Sequence, residues 1–526
     1  MTGVAYDYVV VGGGSAGCVA AAELAADPRN QVLLLECGDP AEAHPETLRA
    51  DGYKDAFVND DLIWERFSAP QPGCRGQRVF LGSGTGLGGS GSVNGMVYTR
   101  GAALDYEQWP EGWQWRDIVP DFEAIERVLR PRRREPTAFT EACLDAAVEA
   151  GFRRSDDLND GDLSGVLGYE WMNYEGDARR SSYVGFVRER PSTNLTVVSN
   201  ARVHRVEIDE ARRATAVLFE RGGHLERVPV TREVLLAAGA LETPKLLMLS
   251  GVGPGQVLRA AGVPVVLDRG AVGRNLHDHP NVPLFFLGRR PVDCYYPQLY
   301  GFHRANPDLA LPPRQSDTCY VFYPARSSLA QATKRLLPGM ILPERWYTPR
   351  MRHLVRRALD GVYATGAFDG LIARLYGIVV ILGKPQSRGS VTLLGDRPEQ
   401  PARLDPAYFA DRADLDTMVR GVRLARRIAR ASALAAWGNT ALRPTARVES
   451  DAAIARWIAA NAITTYHYAG TCRMGDDEAA VVDTRARVRG VRGLRVVDAS
   501  IVPCTPVSAM NAPSMLIGRA SCRERV

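Results

Sequence analysis

Lysine is scarce in this sequence, and the scarcity limits what the protein can bind. Only four of its 526 residues are lysines, at positions 54, 245, 334 and 384. With arginine included, 65 basic residues stand against 60 acidic ones, a net charge of only +5 spread along the chain. Because a nucleic-acid surface needs a concentrated basic patch, we expect no nucleic-acid partner.

Paired cysteines and long apolar runs are also missing. The nine cysteines form no C-x-x-C pair, which favours reduced thiols and a reducing compartment. The sequence contains no run of about 18 apolar residues that would cross a membrane, and no signal-peptide pattern precedes the first apolar run. With 45% hydrophobic and 24% charged residues, the chain has the composition of a soluble globular protein. These features predict a cytoplasmic protein.

The first 36 residues have the pattern of a dinucleotide-binding βαβ unit. An apolar run at 6–11 predicts a buried strand, and Gly12, Gly14 and Gly17 follow it as G-x-G-x-x-G before a small-residue helix. These glycines permit a tight turn and the close approach of a pyrophosphate to the helix N-terminus. Glu36 ends the next apolar run, where a carboxylate accepts hydrogen bonds from ribose hydroxyls and repels a 2′-phosphate. The motif alone does not separate FAD from NAD.

Longer segments further along the chain identify a family. Residues 196–209 and 216–239 alternate like antiparallel strands joined by a Gly-Gly turn, whereas the section from about 285 to 380 carries no recognisable motif. Five other segments resemble the signatures of the glucose–methanol–choline (GMC) oxidoreductases, and are closer to the choline-dehydrogenase-like members than to glucose oxidases: Leu87–Gly101, Ala237–Pro254, Gly273–Pro280, Tyr466–Gly475 and Leu494–Gly518.

The resemblance implies two domains built from discontinuous segments. We expect an α/β FAD-binding domain of the Rossmann-like GMC type, and an α+β substrate domain with an antiparallel sheet. Residues 1–284 would form the N-terminal, mostly FAD-binding region, 285–465 the substrate-binding domain, and 466–518 a segment that returns to the FAD domain. Residues 519–526 are expected to be a non-native tail, because Ile517–Val526 can be back-translated into a common short-read sequencing adapter.

The resemblance also implies which residues hold FAD. By analogy Asn94 approaches the flavin, Val203 contacts the adenine side, Asp498 holds the ribityl–pyrophosphate region, and Asn511 faces the flavin. Some choline-oxidising relatives attach the flavin through a histidine immediately before the loop asparagine. Val93 occupies that position here, so we expect FAD to be non-covalent.

One cofactor loop departs from the family pattern. Many members have Arg-Gly-Lys just before the Leu-Gly-Gly sequence, whereas this chain has Ser83, Gly84, Thr85 and Gly86 there. Two positive charges near the cofactor phosphates are therefore missing from this loop.

Alcohol oxidation by a flavin needs a base for the hydroxyl proton, and histidine suits this role because its unperturbed pKa is near 6.5. His467 matches the family's catalytic histidine. Ala509 occupies the position of the usual second catalytic residue, which leaves His467 to work either with Asn511 in a shifted geometry or with water and Ser508.

The short H-x-H spacing of His277 and His279 would suit a metal. Because no third ligand cluster is evident in the sequence, we expect these histidines to pack beside the cofactor, with no metal site.

The sequence predicts an FAD-dependent oxidoreductase that oxidises the CH–OH group of a small-molecule alcohol, with His467 and Asn511 as catalytic residues. A dehydrogenase is favoured over an oxidase, and the electron acceptor is open between a quinone, a redox protein and oxygen. Two alternatives remain: a flavin-containing lyase of the hydroxynitrile type, and a non-catalytic flavin-binding homologue. Loss of the Arg-Gly-Lys sequence and the alanine at 509 favour the second of these.

The middle section suggests features of the substrate and of the surface. A basic amphipathic stretch at 326–357 would suit either a solvated helix, which we favour, or a peripheral membrane surface. Dense aromatic residues would suit a hydrophobic or cationic alcohol, or are simply core: Tyr295, Tyr296, Tyr300, Phe302, Tyr320, Phe322 and Tyr323.

Overall fold

The computed structural model describes residues 5–523, and β-strands run through most of that length. The strands are β1 Tyr6–Val11, β2 Val32–Leu35, β3 Val97–Tyr98, β4 Arg153–Ser155, β5 Val166–Tyr169, β6 Trp171–Met172, β7 Tyr174–Glu175, β8 Ala178–Arg179, β9 Leu195–Val198, β10 Arg202–Ile208, β11 Ala214–Arg221, β12 His224–Leu236, β13 Val252–Gly253, β14 Leu267–Asp268, β15 Arg274–Leu276, β16 Pro280–Leu287, β17 Leu299–His303, β18 Thr318–Pro324, β19 Leu375–Leu382, β20 Gly389–Thr392, β21 Arg403–Asp405, β22 Thr440–Arg443, β23 Ile463–Thr464 and β24 Leu494–Val496.

Helices connect and cover these strands. They are α1 Ser15–Ala25, α2 Tyr53–Val58, α3 Ser90–Val93, α4 Ala103–Tyr106, α5 Trp115–Leu129, α6 Ala138–Glu149, α7 Thr243–Leu249, α8 Gly255–Ala260, α9 Leu329–Ile341, α10 Pro349–Ala364, α11 Asp369–Arg374, α12 Arg412–Arg430, α13 Ser432–Trp437, α14 Asp451–Asn461 and α15 Asn511–Ala520.

The first sheet contains the predicted βαβ unit. Its parallel part has the order β24-β12-β1-β2-β9, and β10 and β11 extend it as an antiparallel ribbon beside the first half of β12. Every residue of β2 and nearly every residue of β1 is buried, as expected for strands covered on both faces. The predicted Gly-Gly turn joins β11 to β12 with both glycines at positive φ. The Rossmann-like fold class is confirmed.

The second sheet is the antiparallel sheet expected of the substrate domain. Its order is β22-β16-β19-β18-β17-β5-β4, and β23 pairs with β16. All of these pairings are antiparallel except β4 with β5. Because β4, β5 and the first residues of β16 precede residue 285, the sheet draws strands from both sides of the proposed boundary. The division at 284, 465 and 518 stays a prediction.

The end of the described chain packs against the first domain. Helix α15 lies beside α1 and α5, and Arg519 and Arg523 both pair with the carboxylate of Asp121. Residues 524–526 of the predicted non-native tail lie outside the described residues, and its origin stays a prediction. Within residues 5–523, no helix is long and apolar enough to span a bilayer.

Candidate active site

One cavity of about 560 Å³ is lined by residues of both sheets. On one side it collects the residues that follow the carboxyl ends of the parallel strands: Gly12 after β1, Glu36 after β2, Ala237 after β12 and Asp498 after β24. Open parallel sheets bind ligands at this edge. On the other side the cavity is lined by α2, the start of α9 and one face of the antiparallel sheet.

The predicted glycine turn is sterically required. Gly12 has a φ of +105°, and a Cβ there would lie 2.5 Å from the carbonyl oxygen of Ala237. A Cβ on Gly17 would lie 1.9 Å from the Gly12 carbonyl oxygen, so Gly17 serves the packing of helix against strand. Gly14 has free space, its nearest neighbour being Gly89 at 4.0 Å. The turn thus leaves room for a ligand where the motif predicts a pyrophosphate.

Glu36 joins three glycine loops around one end of the cavity. Its Oε2 accepts a hydrogen bond from the backbone N–H of Gly13 at 2.7 Å. Its Oε1 accepts from Gly38 at 2.9 Å and from Gly86 at 3.1 Å. The carboxylate therefore fixes the βαβ turn against the loop in which the family's Arg-Gly-Lys sequence is absent.

Positive charge reaches this end of the cavity from other elements. Arg66, Arg202 and Lys245 border the cavity near Val203. Arg66 pairs with Glu242 at 2.8 Å, and Lys245 lies 3.6 Å from the same carboxylate. Three cations thus lie at the end of the cavity that also holds the carboxylates of Glu36 and Glu242. No sequence pattern marked them, because they come from three separate segments that only the fold brings together.

Asp498 is buried at the carboxyl end of β24 and borders the cavity. Its Oδ2 accepts hydrogen bonds from the backbone N–H of Gly239, at 2.8 Å, and from the hydroxyl of Thr243. Its Oδ1 accepts from the N–H of Ser500 at 2.8 Å, as a cap of the following turn. Burial raises the pKa of this carboxyl, although its hydrogen bonds oppose the rise. Asp498 therefore has a structural role beside its predicted cofactor contact.

Asn94 lies at the end of α3 and borders the middle of the cavity. Its backbone oxygen accepts from the guanidinium of Arg179 at 2.7 Å, and its Oδ1 accepts from the same group at 2.9 Å. Arg179 is fully buried and also donates to the Gly91 carbonyl. Burial lowers the pKa of Arg179 to about 9, so it remains a cation at neutral pH. Sequence reasoning did not find this clamp, because nothing near Arg179 marks it.

Two signature segments, separated by almost 190 residues, pair side by side to place His467. Pro280 and Asn281 pair with β23, and His277 forms a bridge with Ala469. Between these points, Asp278 accepts from the backbone N–H of His467 at 2.8 Å and from the hydroxyls of Thr464 and Tyr408. The backbone at Tyr466 has a φ of +65°, a costly conformation for an aromatic residue. This bend turns His467 into the cavity.

His467 forms a pair with His279. Their Nδ1 atoms lie 2.9 Å apart, so one ring donates a proton to the other. His279 is fully buried, whereas His467 keeps part of its ring open to the cavity. Burial lowers the pKa of His467 to about 4, and burial and the neighbouring His467 lower the pKa of His279 further. Both rings are therefore uncharged at neutral pH.

This pair adds a partner that the sequence did not reveal. His279 was expected only to pack beside the cofactor, and it instead contacts the predicted base. His277 points elsewhere, since its Nδ1 donates to the Asn275 carbonyl at 2.7 Å. The H-x-H spacing placed His279 near the cofactor, but it could not predict the contact with His467, which depends on the pairing of β16 with β23.

The predicted second residue, Asn511, lies at the start of α15 and faces the glycine turn. Its Oδ1 accepts from the hydroxyl of Ser15 at 3.1 Å. Ala509 and Asn511 both border the cavity, but Asn511 is held on the cofactor side. Ser508 is buried, and its hydroxyl has no hydrogen-bond partner among residues 5–523. The His467 side chain hydrogen-bonds to His279. Among residues 5–523 it has no hydrogen bond to Asn511 or Ser508.

Comparison with known families identifies this arrangement. One family model for GMC oxidoreductase matches residues 6–281, and a second matches residues 385–518. The chain belongs to the GMC oxidoreductase family. It is an FAD-dependent oxidoreductase acting on alcohols, as the sequence predicted.

Relatives and solved structures of this family cover almost the whole chain. The oxygen-dependent choline dehydrogenases of Paraburkholderia phymatum and Burkholderia lata are 32% and 33% identical, over 97% and 98% of this chain and 91% and 93% of their own. The crystal structure of pyridoxine 4-oxidase from Mesorbium loti is 27% identical with a TM-score of 0.84, over 99% of each chain. An Aspergillus oryzae formate oxidase, at 24% identity and a TM-score of 0.85 over 100% and 99%, shares the fold.

The residues present fit FAD. The open space at Gly14, the Glu36 carboxylate, and the cations Arg66, Arg202 and Lys245 lie at one end of the cavity, and Asn94, His467 and Asn511 line its other parts. The first group suits a nucleotide with a pyrophosphate. The missing Arg-Gly-Lys charges are therefore offset by cations from other segments.

Proposed function

We propose that the protein oxidises a primary or secondary alcohol with His467 as the general base. When bound, FAD supplies the acceptor for the hydride. The protein must supply a group that removes the hydroxyl proton, because a hydride leaves an alkoxide far more readily than an alcohol. The single observation that carries the proposal is an uncharged, buried histidine whose Nδ1 is engaged by His279 while the ring borders the cavity.

The histidine pair supports one assignment of the protons. If His467 donates its Nδ1 proton to His279, its Nε2 has a free lone pair that can accept a proton from substrate. His279 then acts as a positioning residue that fixes the tautomer of His467, as a carboxylate does in other catalytic triads. Asp278 fixes the backbone of the same residue. In this order the remaining proton of His279 lies on Nε2, which is buried and has no hydrogen-bond partner among residues 5–523.

Asn511 is assigned a smaller part. Its side chain is tied to Ser15 at the cofactor turn, and an amide can orient or polarise but cannot take a proton at neutral pH. The apolar Ala509 offers no replacement. We therefore place the proton transfer on His467 alone and give Asn511 a role in holding the cofactor side.

We favour a dehydrogenase over an oxidase, because the signature segments resemble the choline-dehydrogenase-like members of the family. The names of similar proteins favour oxygen as the acceptor, since the choline dehydrogenases are called "oxygen-dependent" and the pyridoxine enzyme an oxidase. An anaerobic screen of alcohols for flavin bleaching, repeated in air with peroxide detection, separates the two modes. Anaerobic bleaching that is followed in air by neither alcohol turnover nor peroxide formation favours the dehydrogenase. Peroxide formed in proportion to the alcohol consumed favours the oxidase. Flavin that is never bleached supports a lyase or a non-catalytic homologue.

Replacing His467 tests the base. His467→Ala should retain yellow holoprotein but lose about 10²- to 10⁴-fold in kcat/KM, the usual cost of removing a general base. The measurement is anaerobic stopped-flow reduction of the flavin by alcohol. Asn511→Ala should cost less, and Ala509→Asn, which restores the family's residue, should preserve or raise activity. Flavin reduction at the parent rate in His467→Ala would mean that another group is the base.

The pH profile tests the electrostatics of the pair. A base acts when it is unprotonated, so activity is lost as pH falls through its pKa, which burial lowers to about 4 for His467. We therefore expect kcat/KM to stay constant between about pH 5.5 and pH 8, without the limb near 6.5 of an ordinary histidine. His279→Leu should lower kcat while His279→Asn, which can still hydrogen-bond Nδ1, should lower it less. A limb between pH 6 and 7.5 in the parent would contradict this electrostatic account.

We propose that FAD is non-covalent. Val93 borders the cavity at the end of α3 and has no nucleophilic atom. Acid precipitation of the holoprotein should therefore leave the yellow colour in the supernatant. Flavin that remains with the precipitate would indicate attachment at another residue, which peptide mapping would locate.

The surface at residues 329–374 supports peripheral contact with an anionic membrane. Of its eight basic side chains, Arg335, Arg352 and Arg356 are engaged by Asp60 and Glu65 and Lys334 by Asp360, whereas Arg345, Arg350 and Arg357 are exposed. The segment also exposes seven large apolar side chains: Met340, Ile341, Trp346, Leu354, Val362, Phe368 and Leu371. Met340 is 70% and Leu354 60% exposed. Apolar side chains among arginines suit the headgroup region of anionic lipid, and α9 of this surface also borders the cavity.

Vesicle co-sedimentation tests this contact. The protein should bind vesicles with phosphatidylglycerol more than neutral vesicles at low salt, and the double variant Met340→Ser, Trp346→Ser should bind less. Leu225→Ser, at another exposed apolar residue, is the control and should leave binding unchanged. No sedimentation with anionic vesicles would contradict the proposal, and self-association through this face would identify it as an interface between copies.

A further inference from the structure

The half of the cavity that receives the substrate has an unusual charge distribution. This half, here called the substrate half, is formed by α2, the start of α9, and residues Tyr300, Val321 and Ile381 of three adjacent strands. Over residues 5–523, the only acidic side chains that border the cavity are Glu36, Glu242 and Asp498. All three lie at the cofactor end, so the substrate half contains no acidic side chain.

The charge in the substrate half is instead positive. Lys54, one of the four lysines of the chain, borders it from α2. In the described part of the chain no carboxylate lies within 4.0 Å of its ammonium group, whereas the other three lysines each have such a partner: Lys245, Lys334 and Lys384. The buried Arg179 next to this half is bound only by carbonyl and amide oxygens.

The acidic groups nearby face arginines and not Lys54. Asp51 and Asp55, both more than half exposed, pair with Arg49. Asp60 and Glu65, which follow α2, are shared among Arg335, Arg352 and Arg356, so this cluster itself has one excess positive charge.

Glu170 is fully buried near Tyr300 but does not border the cavity. Its carboxylate oxygens have no partner among the described residues, and burial raises its pKa well above the usual range. Because Glu170 does not border the cavity, it makes no contact with a substrate there.

Tyr53, which borders the substrate half, and its neighbour Tyr296 already face cations of the protein. Lys54 Nζ lies 5.8 Å from the ring centroid of Tyr53 and 5.5 Å from that of Tyr296. The guanidinium of Arg134 lies 3.6 Å from the Tyr296 centroid. A quaternary ammonium group is bound by open aromatic faces, commonly with a carboxylate. The substrate half offers such a group no carboxylate, and a like charge near Lys54 is repelled.

We propose that Lys54 makes this enzyme select against cationic alcohols such as choline and select for an alcohol with an apolar body and an anionic end. The inference rests on the proposed function, since it names the substrate class of the same site. The apolar body fits the wall of Tyr300, Val321 and Ile381, and the ammonium group of Lys54 pairs with a carboxylate. An aryl alcohol carboxylate such as 4-(hydroxymethyl)benzoate has this chemistry.

Ligand binding tests the inference independently of turnover. The holoenzyme is titrated with benzoate and with benzyltrimethylammonium, which lack a CH–OH group, while the flavin absorbance is followed. Benzoate should bind about tenfold more tightly than benzyltrimethylammonium. Its carboxylate gains binding free energy from a partly exposed ion pair with Lys54, and the ammonium group of the other ligand loses a comparable amount by repulsion. In Lys54→Met the difference should disappear, and in Lys54→Arg it should persist. Glu170→Gln is the matched control and should leave the difference unchanged.

Turnover gives a second measurement. 3,3-Dimethyl-1-butanol is a neutral isostere of choline and should have a higher kcat/KM than choline. Likewise, 4-(hydroxymethyl)benzoate should have a higher kcat/KM than its trimethylammonium analogue, 4-(hydroxymethyl)benzyltrimethylammonium.

Equal or tighter binding of benzyltrimethylammonium by the parent overturns the inference. It is also overturned if Lys54→Met weakens both ligands alike, since Lys54 would then act on the flavin. If the binding order holds but no alcohol reduces the flavin, the proposed function fails and the charge selection stands.

Discussion

The position of His467, the proposed base, depends on the buried carboxylate of Asp278. That group accepts the backbone N–H of His467 and two hydroxyls from other segments. Burying a carboxylate costs desolvation free energy unless its oxygens are hydrogen-bonded. The three donors offset this cost for Asp278, and Asp278 in turn satisfies the three buried donors. Because Asp278 precedes His279 by one residue, fixing the backbone of His467 also brings the two rings together. The contact of Asp278 with the His467 backbone thus fixes the local backbone conformation and also places the two histidine rings within hydrogen-bonding distance.

The cofactor end depends on a different device, the hydrogen bonds from backbone N–H groups to Glu36. Three glycine loops that are distant in sequence meet at this carboxylate. Glycine is required where a Cβ would collide with backbone, as at Gly12 and Gly17, and not wherever the loops contain it. This explains why the end tolerates the loss of the Arg-Gly-Lys sequence. The loop is held by its amides, and the positive charge comes from Arg66, Arg202 and Lys245.

The sequence predicted what local pattern determines. Strand β1, the glycine turn and Glu36 lie within 36 residues, and their periodicity and spacing sufficed to place them; Asp498 and His467 followed from long signature segments. The contacts that sequence reasoning missed join segments far apart in the chain. His279 meets His467 only because β16 pairs with β23, and Arg179 reaches Asn94 only through the fold. The domain boundaries were difficult for the same reason, since β4 and β5 join a sheet whose other strands come more than 100 residues later.

The separation between the two halves of the cavity has a consequence for how substrate preference can change. In the proposed mechanism, proton transfer depends on His467, Asp278 and His279, which belong to the paired signature segments. The charge of the substrate half depends on α2 and α9, which Arg335 joins through the carbonyls of Phe57 and Asn59 and the carboxylates of Asp60 and Glu65. Arg335 is fully buried, whereas Asp60 is 42% and Glu65 20% exposed, so this network anchors the end of α2 that follows Lys54. Because no residue belongs to both groups, a change in the charge of the substrate half leaves the base intact. A family name shared with choline dehydrogenases therefore fixes the chemistry of this site without fixing the charge of its alcohol.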